Sequence, residues 1–185
     1  TLENKENVIQ QIMGVAELVS NFLVELSYHF DNVTFASTVG NHGRLDKKND
    51  ALKDENLELL IDWYIKARLQ NFKNIKVIED KIDITMYVLN IRGLNFLNVH
   101  GNEDNSNYKI QSAIQMAGVP IVAFCSAHLH HNKTDYVQGV KTLMGGSMIG
   151  MDSLCIKSRI IGFAQQLITI VNDDGVLCHY DANFK

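Results

Sequence analysis

Side chains that can bind a divalent metal follow three separate apolar runs of this sequence. Neutral imidazole and carboxamide oxygen are both ligands for divalent transition metals, and imidazole is the commoner of the two. In α/β folds such ligands gather just past the carboxyl ends of strands. The side chains placed in this way are Asn41 and His42, then His100, and then His128 and His130. The sequence therefore predicts one metal site built from three strand ends.

Spacing along the chain suggests how these side chains are aimed. His128 and His130 follow the apolar run 119–125 at positions i and i+2, and an extended backbone projects such a pair from the same side. We therefore expect both imidazoles to point towards one place. Asn41 and His42 are neighbours, so their side chains diverge. One of them can face a metal while the other faces a substrate bound to that metal.

Length and composition are those of an ordinary globular protein with a single domain. The chain has 185 residues, of which 46% are hydrophobic and 21% are charged, which is enough to bury one core. The net charge of −4 excludes a general positive field that would attract nucleic acid. Three cysteines without a C-x-x-C spacing indicate a reduced, cytoplasmic protein. No apolar run approaches the ~20 residues of a membrane span, so we expect no membrane partner.

Periodicity predicts an α/β domain in which the metal-binding side chains follow buried strands. Helical spacing of apolar residues predicts helices, and short β-rich runs between turn residues predict strands. Arg92-Gly93 is a candidate tight turn between two of the strands. The predicted helices are 4–28, 55–72 and 105–116, and the predicted strands are 32–39, 75–78, 82–91, 94–99, 119–125, 137–143, 166–171 and 176–180.

Three short motifs, in chain order, resemble the last three motifs of the calcineurin-like metallophosphoesterase family. They are Gly40-Asn41-His42, Val99-His100-Gly101 and Ala127-His128-Leu129-His130. The continuation of the first motif to Gly43-Arg44 resembles the exonuclease-like branch found in phages and bacteria. The resemblance implies two β-sheets packed as a sandwich and flanked by helices, and it implies hydrolysis of phosphate esters.

The resemblance also implies a role for each matched side chain. Two divalent ions, of Mn, Fe, Zn or Ni, would hold the phosphate and lower the pKa of a bridging water. His42 would stabilise or protonate the leaving oxygen. Arg44 would clamp the phosphate, and a structural ion pair is an equally good interpretation of this residue. The implied metal ligands are Asn41, His100 and His128 for one ion, and His130 for the other.

The sequence departs from the family pattern in two ways. Ala127 stands where the family has glycine, which is a mild change if φ at this residue is negative. The first two family motifs, Asp-x-His and Gly-Asp-x-x-Asp, occur nowhere in the sequence. We therefore expect residues 1–185 to be the carboxyl-terminal part of a longer protein that lacks its amino-terminal strands. Such a piece would expose a sheet edge, which would pair with a second copy or with the missing segment.

Two functions remain open at this stage. The first is a metal-dependent phosphodiesterase or nuclease with a two-metal mechanism, impaired in the fragment itself. The alternative is a non-catalytic binding or regulatory subunit that retains the fold. Lys47, Lys48 and Lys53 could contact a nucleic-acid backbone, although a solvated loop is the simpler interpretation.

Overall fold

A computed structural model describes residues 6–46, 52, 54–151, 156–157, 159 and 161–184. The chain divides into two compact units, Thr1–Asp80 and Lys81–Lys185, and each is described here by itself. The single domain expected from length stays a prediction. Within the described part of the chain, no helix has both the length and the apolar character needed to cross a membrane.

The first unit consists of two helices and a short parallel sheet. Strands β1 and β2 pair in parallel, and helix α2 lies between them in the chain, as a parallel connection requires. The core contains Leu23, Val33, Ile65 and Leu69. The elements are α1 (Val8–Ser27), β1 (Val33–Phe35), α2 (Leu59–Leu69) and β2 (Ile75–Val77).

Helix α1 begins where its sequence supplies a cap. The Asn7 side chain accepts a hydrogen bond from the Gln10 backbone N–H at 3.0 Å, and the Gln10 side chain accepts one from the Asn7 N–H at 3.0 Å. This reciprocal pair satisfies backbone donors that an uncapped helix leaves unpaired. The helix was predicted from residue 4, and the cap accounts for its start at Val8.

The second unit is built on a five-stranded mixed sheet in the order β3-β4-β5-β7-β6. Strands β4, β5 and β7 are parallel to one another, whereas β3 and β6 are antiparallel edge strands. Parallel neighbours end at the same edge of a sheet, so this arrangement collects the loops that follow β4, β5 and β7. The elements are β3 (Met86–Ile91), β4 (Leu94–Val99), α3 (Asn107–Met116), β5 (Ala123–Ser126), β6 (Lys133–Val137), β7 (Val140–Met144), β8 (Gln165–Asn172) and β9 (Gly175–Asn183).

Both faces of this sheet are covered. Helix α3 packs through Ala113 against Leu97 and Phe124 on one face. The antiparallel β8–β9 hairpin packs on the other, where Leu167 meets the cluster around Phe96. The second unit is therefore a sandwich of helix, sheet and hairpin, and the predicted α/β class with packed sheets is confirmed. The absence of amino-terminal strands stays a prediction.

Two turns show where sequence patterns succeed and fail. The turn at Arg92 and Gly93 is confirmed, with φ of 55° and 86°, the positive values of a two-residue hairpin turn. The single strand predicted over 137–143 is wrong, because positive φ at Gln138 and Gly139 (47° and 83°) breaks it into β6 and β7. Glutamine is not typical at the first position of such a turn, so the sequence gave no signal there.

Candidate metal centre and adjoining cavity

Two of the predicted site residues lie side by side because their strands are parallel neighbours. Asn98 of β4 pairs with Cys125 of β5, so the two strands end at the same edge. His100 follows β4 directly, and His128 follows the end of β5 by two residues. Nδ1 of His128 lies 3.2 Å from Nε2 of His100, and the rings meet edge to face with centroids 5.0 Å apart.

The distance between these nitrogens suits two ligands of one metal ion. Imidazole nitrogens bind Zn²⁺ at about 2.0–2.1 Å, and two of them at tetrahedral to right angles are therefore about 3.0–3.4 Å apart. The 3.2 Å between His100 and His128 lies within this interval. Each nitrogen is a ligand when its neutral ring carries its proton on the other nitrogen. The donor pair thus fits a divalent transition metal.

The backbone at His128 turns sharply. Its φ is 72°, and the Leu129 N–H donates to the Ala127 carbonyl at 2.9 Å. A hydrogen bond across one residue of positive φ is the mark of a γ-turn, which is rare and strained for a residue with a side chain. We call residues 126–129 the His128 turn. Ala127 itself has no positive φ, so the condition on its replacement of glycine is met.

The extended backbone expected at residues 128–130 is wrong. Strand β5 ends at Ser126, and both His128 and His130 have positive φ (72° and 58°). The alternation of an extended chain therefore does not determine where the two imidazoles point. His130 is exposed. Among the described residues, no three His, Cys, Asp or Glu side chains form a group that could hold a metal, so the ligand role of His130 stays a prediction.

Gly101 permits the close approach of the two histidine loops. Its φ is 109°, and a Cβ atom there would lie 3.1 Å from the Ala127 carbonyl oxygen and 3.4 Å from Ser126 Cβ. The Ala127 N–H donates to the His100 carbonyl at 3.0 Å. Sequence reasoning quoted Gly101 within a motif without giving it a function. Its position directly after a candidate ligand is the signal that could have identified it.

The loop after β7 also contacts this edge of the sheet. The Gly145 N–H donates to the Ser126 carbonyl at 2.8 Å. The Gly146 N–H donates to the Asn132 side chain at 2.7 Å, and Gln166 Nε2 donates to the Gly146 carbonyl at 2.8 Å. Hydrogen bonds therefore join the loop that follows β7 to the chain that follows the His128 turn and to strand β8.

His131 has a local structural function that the sequence did not indicate. Its Nδ1 lies 2.9 Å from the Leu129 carbonyl oxygen. Since a carbonyl only accepts, Nδ1 carries the proton in this contact. The exposed His131 therefore stabilises the chain that leaves the His128 turn.

The segment 40–44 lies in the first unit and is held by two side chains. Glu58 Oε2 accepts from the Gly40 N–H at 2.6 Å, and Asn56 Nδ2 donates to the Gly40 carbonyl at 2.9 Å. Asn56 Oδ1 also accepts from the Glu58 N–H at 2.9 Å, and Asn56 is only 6% exposed. A Cβ at Gly43 would contact Asn56 Oδ1 and lie 2.7 Å from Glu58 Cγ, so glycine is required where the segment crosses these side chains.

The three predicted site residues of this segment differ in exposure. Asn41 is half-buried and His42 is exposed. Arg44 is half-buried and forms an isolated antiparallel bridge with Asn56. Their roles as metal ligand, proton donor and phosphate clamp stay predictions. Lys47, Lys48 and Lys53 lie outside the described residues.

A cavity of about 350 Å³ adjoins His128 within the second unit. It lies between the first turns of α3 and the carboxyl half of the central strands. Buried apolar side chains, including Phe124 and Val137, line it together with Ser126 and Thr142. Exposed Asn105 and Asn107 also line it, so the cavity combines an apolar interior with a polar rim.

Charges at the rim are mainly negative. Asp104 and Asp135 both line the cavity, and Lys133 forms an ion pair with Asp135 at 3.1 Å. Partial burial raises the pKa of the Asp104 carboxyl, and the neighbouring Glu103 raises it further. The negative charge of Glu103 therefore adds to that of the rim.

Cys125, in β5 just before the His128 turn, has an unreactive thiol. Burial raises its pKa to about 12. Because the thiolate is the nucleophile and the metal ligand, Cys125 stays protonated and adds no ligand to the histidine pair.

No protein-family model and no curated protein matches this chain. Among solved structures, Vps29 complexed with Zn²⁺ from Entamoeba histolytica is similar at 14% identity, over 65% of this chain and 74% of that one, with a TM-score of 0.44. An archaeal phosphodiesterase is similar at 12% identity, over 80% and 68%, with a TM-score of 0.49. A predicted phosphoesterase from Streptococcus pneumoniae is similar at 12% identity, over 94% and 91%, with a TM-score of 0.40. At these identities and TM-scores, the likenesses assign neither family nor activity to this chain.

Proposed function

We propose that this chain carries part of the active site of a metal-dependent phosphoesterase that acts on phosphodiesters or nucleic acid. The observation that carries the proposal is the 3.2 Å between Nδ1 of His128 and Nε2 of His100, at the edge where parallel strands end. Such an edge is where α/β folds place their ligand sites. The motif resemblance adds Asn41 and His130 as further ligands, and two ions as the complete set.

The proposed chemistry divides between the metal and the protein. A divalent ion at this place would polarise a phosphate oxygen and lower the pKa of a bound water. His100 and His128 would hold the ion, since their nitrogens already face each other at a suitable distance. His42 would donate a proton to the leaving oxygen, and Arg44 would bind the phosphate through its planar guanidinium.

The proposal is tested with metal binding and hydrolysis in the same preparation. Mn²⁺ should bind to the protein in calorimetry and should stimulate cleavage of bis(p-nitrophenyl) phosphate by the longest form of the gene product. His128→Ala should remove the metal binding and lower the metal-stimulated rate by at least ~100-fold, since an ion contributes several kcal/mol to the barrier. His29→Ala is the matched control, because His29 is exposed and its contact is an ion pair with Glu25 on the same helix.

Two outcomes separate the candidate functions. Metal binding that is lost in His128→Ala, without hydrolysis by any form, would contradict the phosphoesterase and support a non-catalytic, metal-binding subunit. If His128→Ala binds Mn²⁺ as well as the unmodified protein does, the metal centre itself is wrong.

A further inference from the structure

The cavity beside His128 has a size that suits one small organic group. Its volume of about 350 Å³ lies near the lower end of the roughly 300–1,000 Å³ range of ligand sites. All of its lining residues belong to the second unit. His128 is both a lining residue and a member of the histidine pair. A group in the cavity would therefore lie next to a phosphate held at that pair.

The chemistry of the lining selects the kind of group. Phe124 and Val137 are 1% and 6% exposed, and with Ile110 and Met144 they form an apolar interior. Apolar side chains of this kind suit the face of a flat ring. The carboxamides of Asn102, Asn105 and Asn107 line the same cavity. Carboxamides both donate and accept hydrogen bonds, as the edge of a heterocyclic ring requires.

Charge argues against an anion in the cavity. Two carboxylates, Asp104 and Asp135, line it with one ammonium, Lys133, which is already paired with Asp135 at 3.1 Å. A second phosphate would meet like charge, and like charges in close contact are unfavourable. The lining accepts a neutral, ring-bearing group far better than it accepts a phosphate.

We infer that the cavity binds the nucleoside portion of a phosphodiester whose phosphate lies at the His100–His128 pair. The inference rests on the proposed function for the phosphate and on the cavity alone for the nucleoside. It narrows the substrate class to nucleoside phosphate esters, with the uncharged nucleoside on the α3 side of the sheet.

The test measures nucleoside binding without metal, so that it does not depend on hydrolysis. Uncharged adenosine and uridine are titrated into chelator-treated protein, and backbone amide shifts are followed by NMR. We expect saturable binding, with shifts at residues of the cavity. Thr142→Phe, which fills the cavity from β7, should weaken binding by at least ~10-fold. Asn105→Ala, at an exposed loop position where the fold does not depend on the side chain, should weaken it several-fold.

Matched controls and a second assay separate this inference from the proposed function. Thr34→Phe on the exposed side of β1 and Asn71→Ala after α2 should leave nucleoside binding unchanged, and inorganic phosphate should not compete. If nucleosides do not bind, or bind equally to Thr142→Phe, the inference is wrong, even where Mn²⁺-dependent hydrolysis of bis(p-nitrophenyl) phosphate is observed. If nucleosides bind as expected but no hydrolysis occurs, the cavity assignment stands and the phosphoesterase proposal fails.

Discussion

The two parts of the chain that carry predicted site residues are held in different ways. Segment 40–44 of the first unit is fixed by the side chains of Asn56 and Glu58, which hydrogen-bond to backbone groups of Gly40. The His128 turn of the second unit is fixed by backbone groups, through the Ala127 N–H to the His100 carbonyl and the Gly145 N–H to the Ser126 carbonyl. A side-chain clamp depends on the identity of distant residues. A main-chain clamp depends on which backbone conformations the local residues can adopt.

The largest effect is expected from removal of the side-chain clamp. Asn56→Ala would leave the Gly40 carbonyl and the Glu58 N–H without their partners at a buried position, and we expect it to lower the free energy of unfolding by about 2–3 kcal/mol. Urea denaturation measures this change. Ser126→Ala on the other side of the comparison should change stability by less than ~0.5 kcal/mol, because only its backbone carbonyl takes part in the clamp. Equal losses in both variants would contradict the distinction between the clamps.

An intermediate effect is expected from Gly101→Ala. The substitution places a Cβ 3.1 Å from the Ala127 carbonyl oxygen at a φ of 109°, so we expect a loss of about 2 kcal/mol together with weaker Mn²⁺ binding. Gly93→Ala is the control, since φ is also positive there (86°) but no atom lies within 4 Å of the added Cβ. It should cost about 1 kcal/mol and leave Mn²⁺ binding unchanged. The main-chain account fails if calorimetry shows that both variants bind Mn²⁺ as the unmodified protein does.

The smallest effect is expected from Ala127→Gly, which restores the glycine of the family motif. Because φ at Ala127 is not positive, glycine brings no conformational advantage and adds freedom to the unfolded chain. We expect a loss of about 0.4–1 kcal/mol in urea denaturation, with unchanged metal affinity. An increase in stability would show that Ala127 is strained in the native turn.

The sequence predicted the strands better than the turns between them. Strand β4 was predicted over 94–99, the range that the structure shows, because Arg92-Gly93 and Gly101 mark its two ends. Residues 119–125 were predicted as a strand, but β5 covers Ala123–Ser126. The apolar residues that precede β5 pack against the core without pairing as a strand, as Ile121 does. Apolar character indicates burial, and pairing depends on neighbours that lie far away in the chain.

The candidate site shows the same division. The meeting of His100 and His128 follows from two buried strands that end in histidine, once the strands are parallel neighbours. The positive φ of His128 could not be predicted, because it depends on a hydrogen bond from Ala127 to a residue of another loop. The clamp on segment 40–44 was also missed, since Asn56 and Glu58 follow it by more than ten residues and belong to no motif.

The backbone at residue 128 has a consequence for how this protein would respond to selection. A left-handed φ of 72° disfavours any L residue with a Cβ relative to glycine by about 1–2 kcal/mol. A library screened only for thermal resistance should therefore enrich glycine at this position, whereas a library screened for metal uptake should retain histidine. Such opposed enrichment is the signature of a residue whose chemistry is maintained at the expense of folding.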